Sequence, residues 1–106
     1  MKGVKITKAI DGKHKYKAEF TFDGKVEKTT QFGAKGMGDF IHYSKVSPAE
    51  GAKHKKAYLA RHSATENWRD ERSAGALSRW ILWNKPTLEA SIADFKKRFG
   101  YWKLYF

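Results

Sequence analysis

The 106-residue chain predicts a single basic α+β domain over residues 1–106: a three-stranded antiparallel meander, about three helices packed on one of its faces, and a C-terminal aromatic tail available as an added strand. Three observations lead there. Two Asp-Gly-Lys turns punctuate alternating segments in the first third, and helix-start signals recur after residue 47. Sixteen aromatics (four Trp, five Tyr, seven Phe) and a 41% hydrophobic fraction exceed what a disordered basic tail carries. A chain this short sustains one modest core and not two.

The meander is read from AIDGK at 9–13 and FDGK at 22–25. Each suits a type I turn whose Gly takes the left-handed conformation of a G1 bulge. That geometry sets Val4 opposite Ala18, Ile6 opposite Tyr16 and Phe20 opposite Val26, and gathers these six apolar residues on one face. The opposite face then carries Lys5, Thr7, Lys15, Lys17, Glu19, Thr21, Lys25, Glu27 and Thr29. The following FGAKGMGD, with three glycines, ends the third strand and turns toward the helices. It lacks the GxxxxGK[ST] spacing and strand–helix context of a phosphate cradle.

Ser47, Pro48 and Glu50 form a capping-box signature that starts a helix over about 48–63. Its apolar side is modest and its remainder is basic. Next, ALSRWILW places Leu77, Trp80, Ile81 and Asn84 at i, i+3, i+4 and i+7, which favours a short helix with Leu77, Trp80 and Ile81 inward and Trp83 offset from the stripe, although WILW alone equally suits a buried strand. Pro86 breaks it. Thr87 caps a last helix whose inner face is Leu88, Ile92, Phe95 and Phe99, and Gly100 ends it.

Charge is the strongest bulk property. Twenty-two Lys and Arg against eleven Asp and Glu give a net +11, of which +8 falls in residues 1–63. A polyanionic partner follows from that imbalance. Cysteine is absent, which excludes disulfides and thiolate chemistry, and no run approaches the roughly 20 apolar residues that span a bilayer. The sequence therefore predicts a chain that is soluble inside a cell.

Catalytic and metal-binding patterns are weak. His54, Tyr58 and His62 share a helix face at i, i+4 and i+8, with Glu66 four residues further on. Two histidines eight apart lie about 12 Å apart along a helix axis, too far to chelate one ion unaided. Asp39, His42, His62, Glu66 and Asn67 can be assembled into a metal-dependent nuclease only on paper, since nothing in their spacing demands it. The sequence predicts no catalytic residue, no metal and no cofactor; His62 and Glu66 are expected to orient the end of their helix.

The stretch FGAKGMGDFIHYSK, followed by KKAYLARHSATENWRDERSAGALSRWILWNKPTLEASIADFKKRFG, resembles a family of short, basic proteins of large double-stranded DNA viruses that infect algae and other protists. The matching elements, FG..G..D...H, Y..RH....ENW and SAG.LSRWILWNKPTL..SI.DFK.RF, cover about residues 30–100. The resemblance implies a viral origin and incorporation into the virion. It brings no catalytic mechanism with it.

The combined expectation is a non-enzymatic virion protein that binds nucleic-acid phosphates, most naturally those of double-stranded DNA, with little sequence selectivity. Its contacts are expected at Lys15, Lys17, Lys53, Lys55, Lys56, Arg61, Arg79, Lys85, Lys96, Lys97 and Arg98, with Trp68 and Trp83 as stacking rings. The alternative is a minor capsid or interior-shell protein. There, basic patches meet acidic capsid surfaces, and Tyr101, Trp102, Leu104, Tyr105 and Phe106 anchor a neighbour.

Overall fold

Alternating side chains in the first third form strands, and each Asp-Gly turn then fixes which residues meet. The computed structural model describes residues 1–102. Its strands β1 (Lys2–Lys8), β2 (His14–Phe22) and β3 (Lys25–Ala34) make an antiparallel sheet in the order β1-β2-β3. The first loop is wider than a three-residue hairpin. The Asp11 carboxylate accepts from the amides of Lys13 and His14, both at 2.9 Å, and pairing begins at Lys8 opposite Tyr16. Val4 therefore meets Phe20 and Ile6 meets Ala18, two residues from the expected register. An even shift keeps the predicted alternation of inner and outer positions along both strands.

The second turn differs in kind. Asp23 and Gly24 both have positive φ (49° and 82°), which makes a two-residue type I′ hairpin instead of a type I turn with a G1 bulge. Thr21 now faces Val26, an odd shift that turns Val26 outward to 56% exposure. A bulge beside Phe20, with Glu27 as the unpaired residue, restores the phase. Beyond it Thr30 and Phe32 lie opposite Ala18 and Tyr16, and the inner face is recovered.

Helices α1 (Phe40–Val46), α2 (Pro48–His62), α3 (Ala74–Leu77) and α4 (Leu88–Phe99) complete an α+β fold, with a π-helical segment, Ser78–Leu82, continuing α3. The sequence reading treats the stretch before Ser47 as a connection, so α1 is an addition. Its start is capped by Asp39, which accepts from the His42 amide at 2.9 Å. Ser47 serves two helices at once. Its amide donates to Tyr43 O at 3.2 Å, closing α1, while its hydroxyl accepts from the Glu50 amide at 3.0 Å, opening α2. Because the Ser47 amide is already engaged, only half of the capping box forms, and the Glu50 carboxylate turns to His54 Nε2 at 3.3 Å.

The π segment corrects the helical phase of ALSRWILW. The Trp83 amide donates to Ser78 O at 3.0 Å, a five-residue step that widens the turn. Trp83 consequently enters the core at 8% exposure, and Trp80, predicted inward, lies half-buried at the margin. One core cluster joins Val4, Ala18, Phe20 and Phe32 of the sheet to Tyr58, Leu77, Ile81, Leu82, Trp83, Phe95 and Tyr101.

α4 begins at Thr87, whose hydroxyl accepts from the Ala90 amide at 3.2 Å, and ends at Gly100 with φ 75°. Its most enclosed residues are Ser91 and Phe95, while Leu88, Ile92 and Phe99 pack around them part-buried. Tyr101 stacks on Phe95 and lies against Phe20, and the Trp102 amide donates to Lys2 O at 2.8 Å beside β1. Of the predicted tail anchors, Tyr101 is thus a core residue at 4% exposure and Trp102 stays exposed. Leu104, Tyr105 and Phe106 lie outside the described residues.

Ser91 closes the joint between the π segment and α4. Its fully buried hydroxyl accepts from the Lys85 amide at 3.0 Å and lies 3.4 Å from Lys85 O. Removing it leaves the Lys85 amide without that acceptor. Ser91→Ala is expected to lower unfolding free energy by about 1–3 kcal/mol in a urea titration, with an unchanged m-value.

Candidate functional site

Five aromatic rings from three helical segments converge along one groove of about 460 Å³. α2 contributes His54, Tyr58 and His62, the helical face legible in the sequence; α1 contributes Tyr43, and the π turn delivers Trp83. They form a continuous row. His54 stacks on Tyr43 at 3.6 Å and 6°, Tyr43 lies 6.4 Å from Trp83, and Tyr58 stacks on Trp83 at 4.5 Å and 9° and on His62 at 4.5 Å. Near-parallel rings at centroid separations of 4.5 Å, as on both sides of Tyr58, add attraction beyond the area they bury.

Glycines make room for this arrangement. A Cβ on Gly38 would lie 2.5 Å from the Tyr43 ring, and one on Gly75 would collide with the Glu66 carboxylate. Within FGAKGMGD, Gly33 and Gly38 therefore serve close packing, against Leu82 and Tyr43, a role with no local sequence signal because the partners lie in other elements.

The polar lining mixes both signs of charge. Lys15 Nζ sits 2.7 Å from Asp39 Oδ2, and the Asp39 carboxylate also caps α1. His62 Nδ1 lies 3.4 Å from Glu66 Oε1, the helix-end pairing expected from their spacing. Arg61 and Ser78 complete the rim. Burial, reinforced by Glu66 and partly opposed by Arg79, pushes the Tyr58 phenol up to about 12. Among the described residues no group of three or more His, Asp or Glu is arranged to hold a metal ion, and no helix is long and apolar enough to cross a membrane.

Comparison with protein-family models, with curated proteins and with solved structures gives no match. The site is therefore interpreted from its own geometry and charge.

Predicted contact residues separate into two groups. Several are already engaged. Lys15 is held by Asp39 in the groove instead of standing on the outer sheet face, and Lys17 lies 3.7 Å from Glu19. Arg79 is an interior clamp, donating to Trp83 O at 2.8 Å with its guanidinium over the Trp80 and Trp68 rings. Arg98 lies over Trp80 and pairs with Asp94 at 3.3 Å. Trp83 has no free face for a base, since it is enclosed and stacked on Tyr58; Trp68 is half-buried, with Arg79 over its ring.

The remainder face solvent. Lys53, Lys56 and Arg61 lie on the exposed side of α2, interspersed with exposed Ala49, Ala52, Ala57 and Ala60. Lys85 projects from the joint before α4, Lys97 is exposed near that helix's end, and Lys96 is half-buried. Lys55 connects these regions: its ammonium donates to Asn84 O at 2.9 Å and lies 4.7 Å from the Phe40 ring centroid. Burial, together with the nearby positive charges of Arg79 and Lys85, lowers its pKa.

Because the folded state holds Tyr58 protonated beyond the ordinary phenol value of 10.0, its contribution to stability is complete below pH 10 and is lost as pH rises toward about 12. Tyr58→Phe should remove the tyrosinate absorbance component appearing near pH 12. It should also flatten the alkaline loss of stability between pH 10 and 12.

Proposed function

We propose that this chain binds nucleic-acid phosphates with little base selectivity, through the solvent side of α2 and the adjoining Lys85 joint. The carrying observation is an uncompensated cation cluster. Nine of the eleven carboxylates lie within ion-pair distance of a basic group, yet among the described residues only Lys2, Lys15, Lys17, Arg72 and Arg98 of the Lys and Arg side chains take part. Lys53, Lys55, Lys56, Arg61 and Lys85 stand outside those pairs.

Lys55 moreover experiences Arg79 and Lys85 as like charges. A row of phosphates relieves that repulsion and releases counterions. Small alanine side chains between the lysines let a polyanion backbone approach α2 closely. Within the viral resemblance, this activity corresponds to condensing or organising a double-stranded genome in the virion, without catalysis.

Duplex DNA binding should weaken steeply with salt. Replacing Lys53, Lys56 and Lys85 together by Ala should reduce the log–log salt slope by roughly 2–3, near 0.9 per lost phosphate contact. A flat salt response, or no duplex binding at low salt, would overturn the reading.

A second reading, a shell protein that docks onto capsid neighbours, has support from a groove that shares Lys55 and Lys56 with the basic surface. An apolar groove between α1, α2 and Pro86 includes Phe40, Pro48 and Leu59, and Trp102 is 48% exposed. Trp102→Ala preserves Tyr101 in the core, removes the exposed ring and tests this alternative. Under the phosphate-binding reading, duplex affinity and particle association should both survive; loss of particle association alone would favour the shell role.

A further inference from the structure

We infer that the groove between the end of the sheet, α2 and the α3–π segment takes an unpaired nucleobase, so that the protein engages single-stranded or unstacked nucleic acid in addition to duplex phosphates. This rests on the phosphate-binding reading and extends it to a second, chemically different contact. A site for phosphate alone has no need of a row of rings, whereas an unstacked base gains from an aromatic platform of any sequence preference. In the row from His54 to His62 the inner rings stack on one another, and the partly exposed end rings, His54 and His62, supply the faces for a base.

Polarity favours the same occupant. The groove presents the carboxylates of Asp39 and Glu66 as acceptors and the Lys15 ammonium and Ser78 hydroxyl as donors. A purine or pyrimidine edge carries donors and acceptors together and complements such a mixed lining. A second phosphate would instead meet two carboxylates. At about 460 Å³ the groove falls within the size range of small-ligand sites.

Geometry also connects the two contacts. Arg61 lines the groove and projects from the exposed side of α2, next in sequence to His62. A strand whose phosphates follow Lys53 and Lys56 can therefore continue past Arg61 and turn one base inward. His54 and His62 are the partly exposed ends of the ring row, each with a tyrosine against it.

The test uses the full chain with a short single strand containing one 2-aminopurine, and with the corresponding duplex. On saturation, fluorescence should fall for the single strand and remain nearly constant for the duplex. The paired substitution His54→Gln and His62→Gln keeps polar side chains but removes both rings. It should abolish the quench and weaken single-strand binding about tenfold, with duplex affinity changing less than twofold.

Near-ultraviolet circular dichroism and a thermal melt establish whether that variant keeps its packing. If it does not, titration of the wild-type protein with adenosine and separately with inorganic phosphate decides the point through amide chemical shifts. Adenosine should perturb residues around His54, Tyr58, His62 and Ser78, and phosphate should not. An undiminished quench in the folded variant, or groove shifts with phosphate but not adenosine, would overturn the base site. Absence of duplex binding at low salt would overturn the phosphate reading while leaving the adenosine result decisive for the groove.

Discussion

The amide of Trp83 bonded to Ser78 O sets the arrangement of much of the helical layer. An ordinary α-helical step would keep Leu77, Trp80 and Ile81 on one inner stripe and leave Trp83 outside it. The wider π step instead turns Trp83 against Tyr58 and releases Trp80 to the margin, where Arg79 and Arg98 lie over its ring. It also places Asn84 at the centre of a polar junction. The Asn84 side-chain Nδ2 donates to Trp80 O at 3.1 Å and Asp94 Oδ2 at 2.6 Å, while the Asn84 backbone carbonyl accepts from Lys55 Nζ. One irregular turn thereby joins α2, the π segment and α4.

Charge in this molecule is organised by short-range pairing. Carboxylates settle beside nearby bases or cap helix starts, and the surplus lysines are left on surfaces with no matching acid among the described pairs. Exposed pairs of this kind contribute little to stability individually. Their larger consequence is the field that remains: unpaired cations stand on the outer side of α2 and on the meander, at Lys5, Lys8, Lys13, Lys25 and Lys28, while the aromatic groove has nearly balanced formal charge. Two neighbouring surfaces of different charge and polarity arise from one helix because its opposite sides carry different residue types.

Much of the secondary structure was legible wherever its cause was local. Alternation identified the meander; Ser47-Pro48 marked α2, and Thr87 and Gly100 marked the ends of α4. Local rules were insufficient where a neighbouring element determined the result. The wider Asp11 loop and the type I′ turn at Asp23-Gly24 changed register, but an even shift in one and a compensating bulge in the other preserved the buried face. Helix α1 escaped notice because its seven residues are too few for a periodic signal. The i, i+4, i+8 face of His54, Tyr58 and His62 was visible, whereas the groove it lines also requires Tyr43, Trp83 and Gly38 from separate segments. Similarly, Arg79 and Lys15 could be recognised as cations, but their internal partners could not be read from spacing.

The Lys55–Asn84 hydrogen bond gives the basic helix a mechanical connection to the interior. Lys55 adjoins Lys56 on α2, and Asn84 is braced in turn by Trp80 and Asp94. Displacement of the Lys55 side of α2 is therefore coupled through Asn84 to the π segment and to α4, so the polar junction acts as a cross-brace within the helical layer.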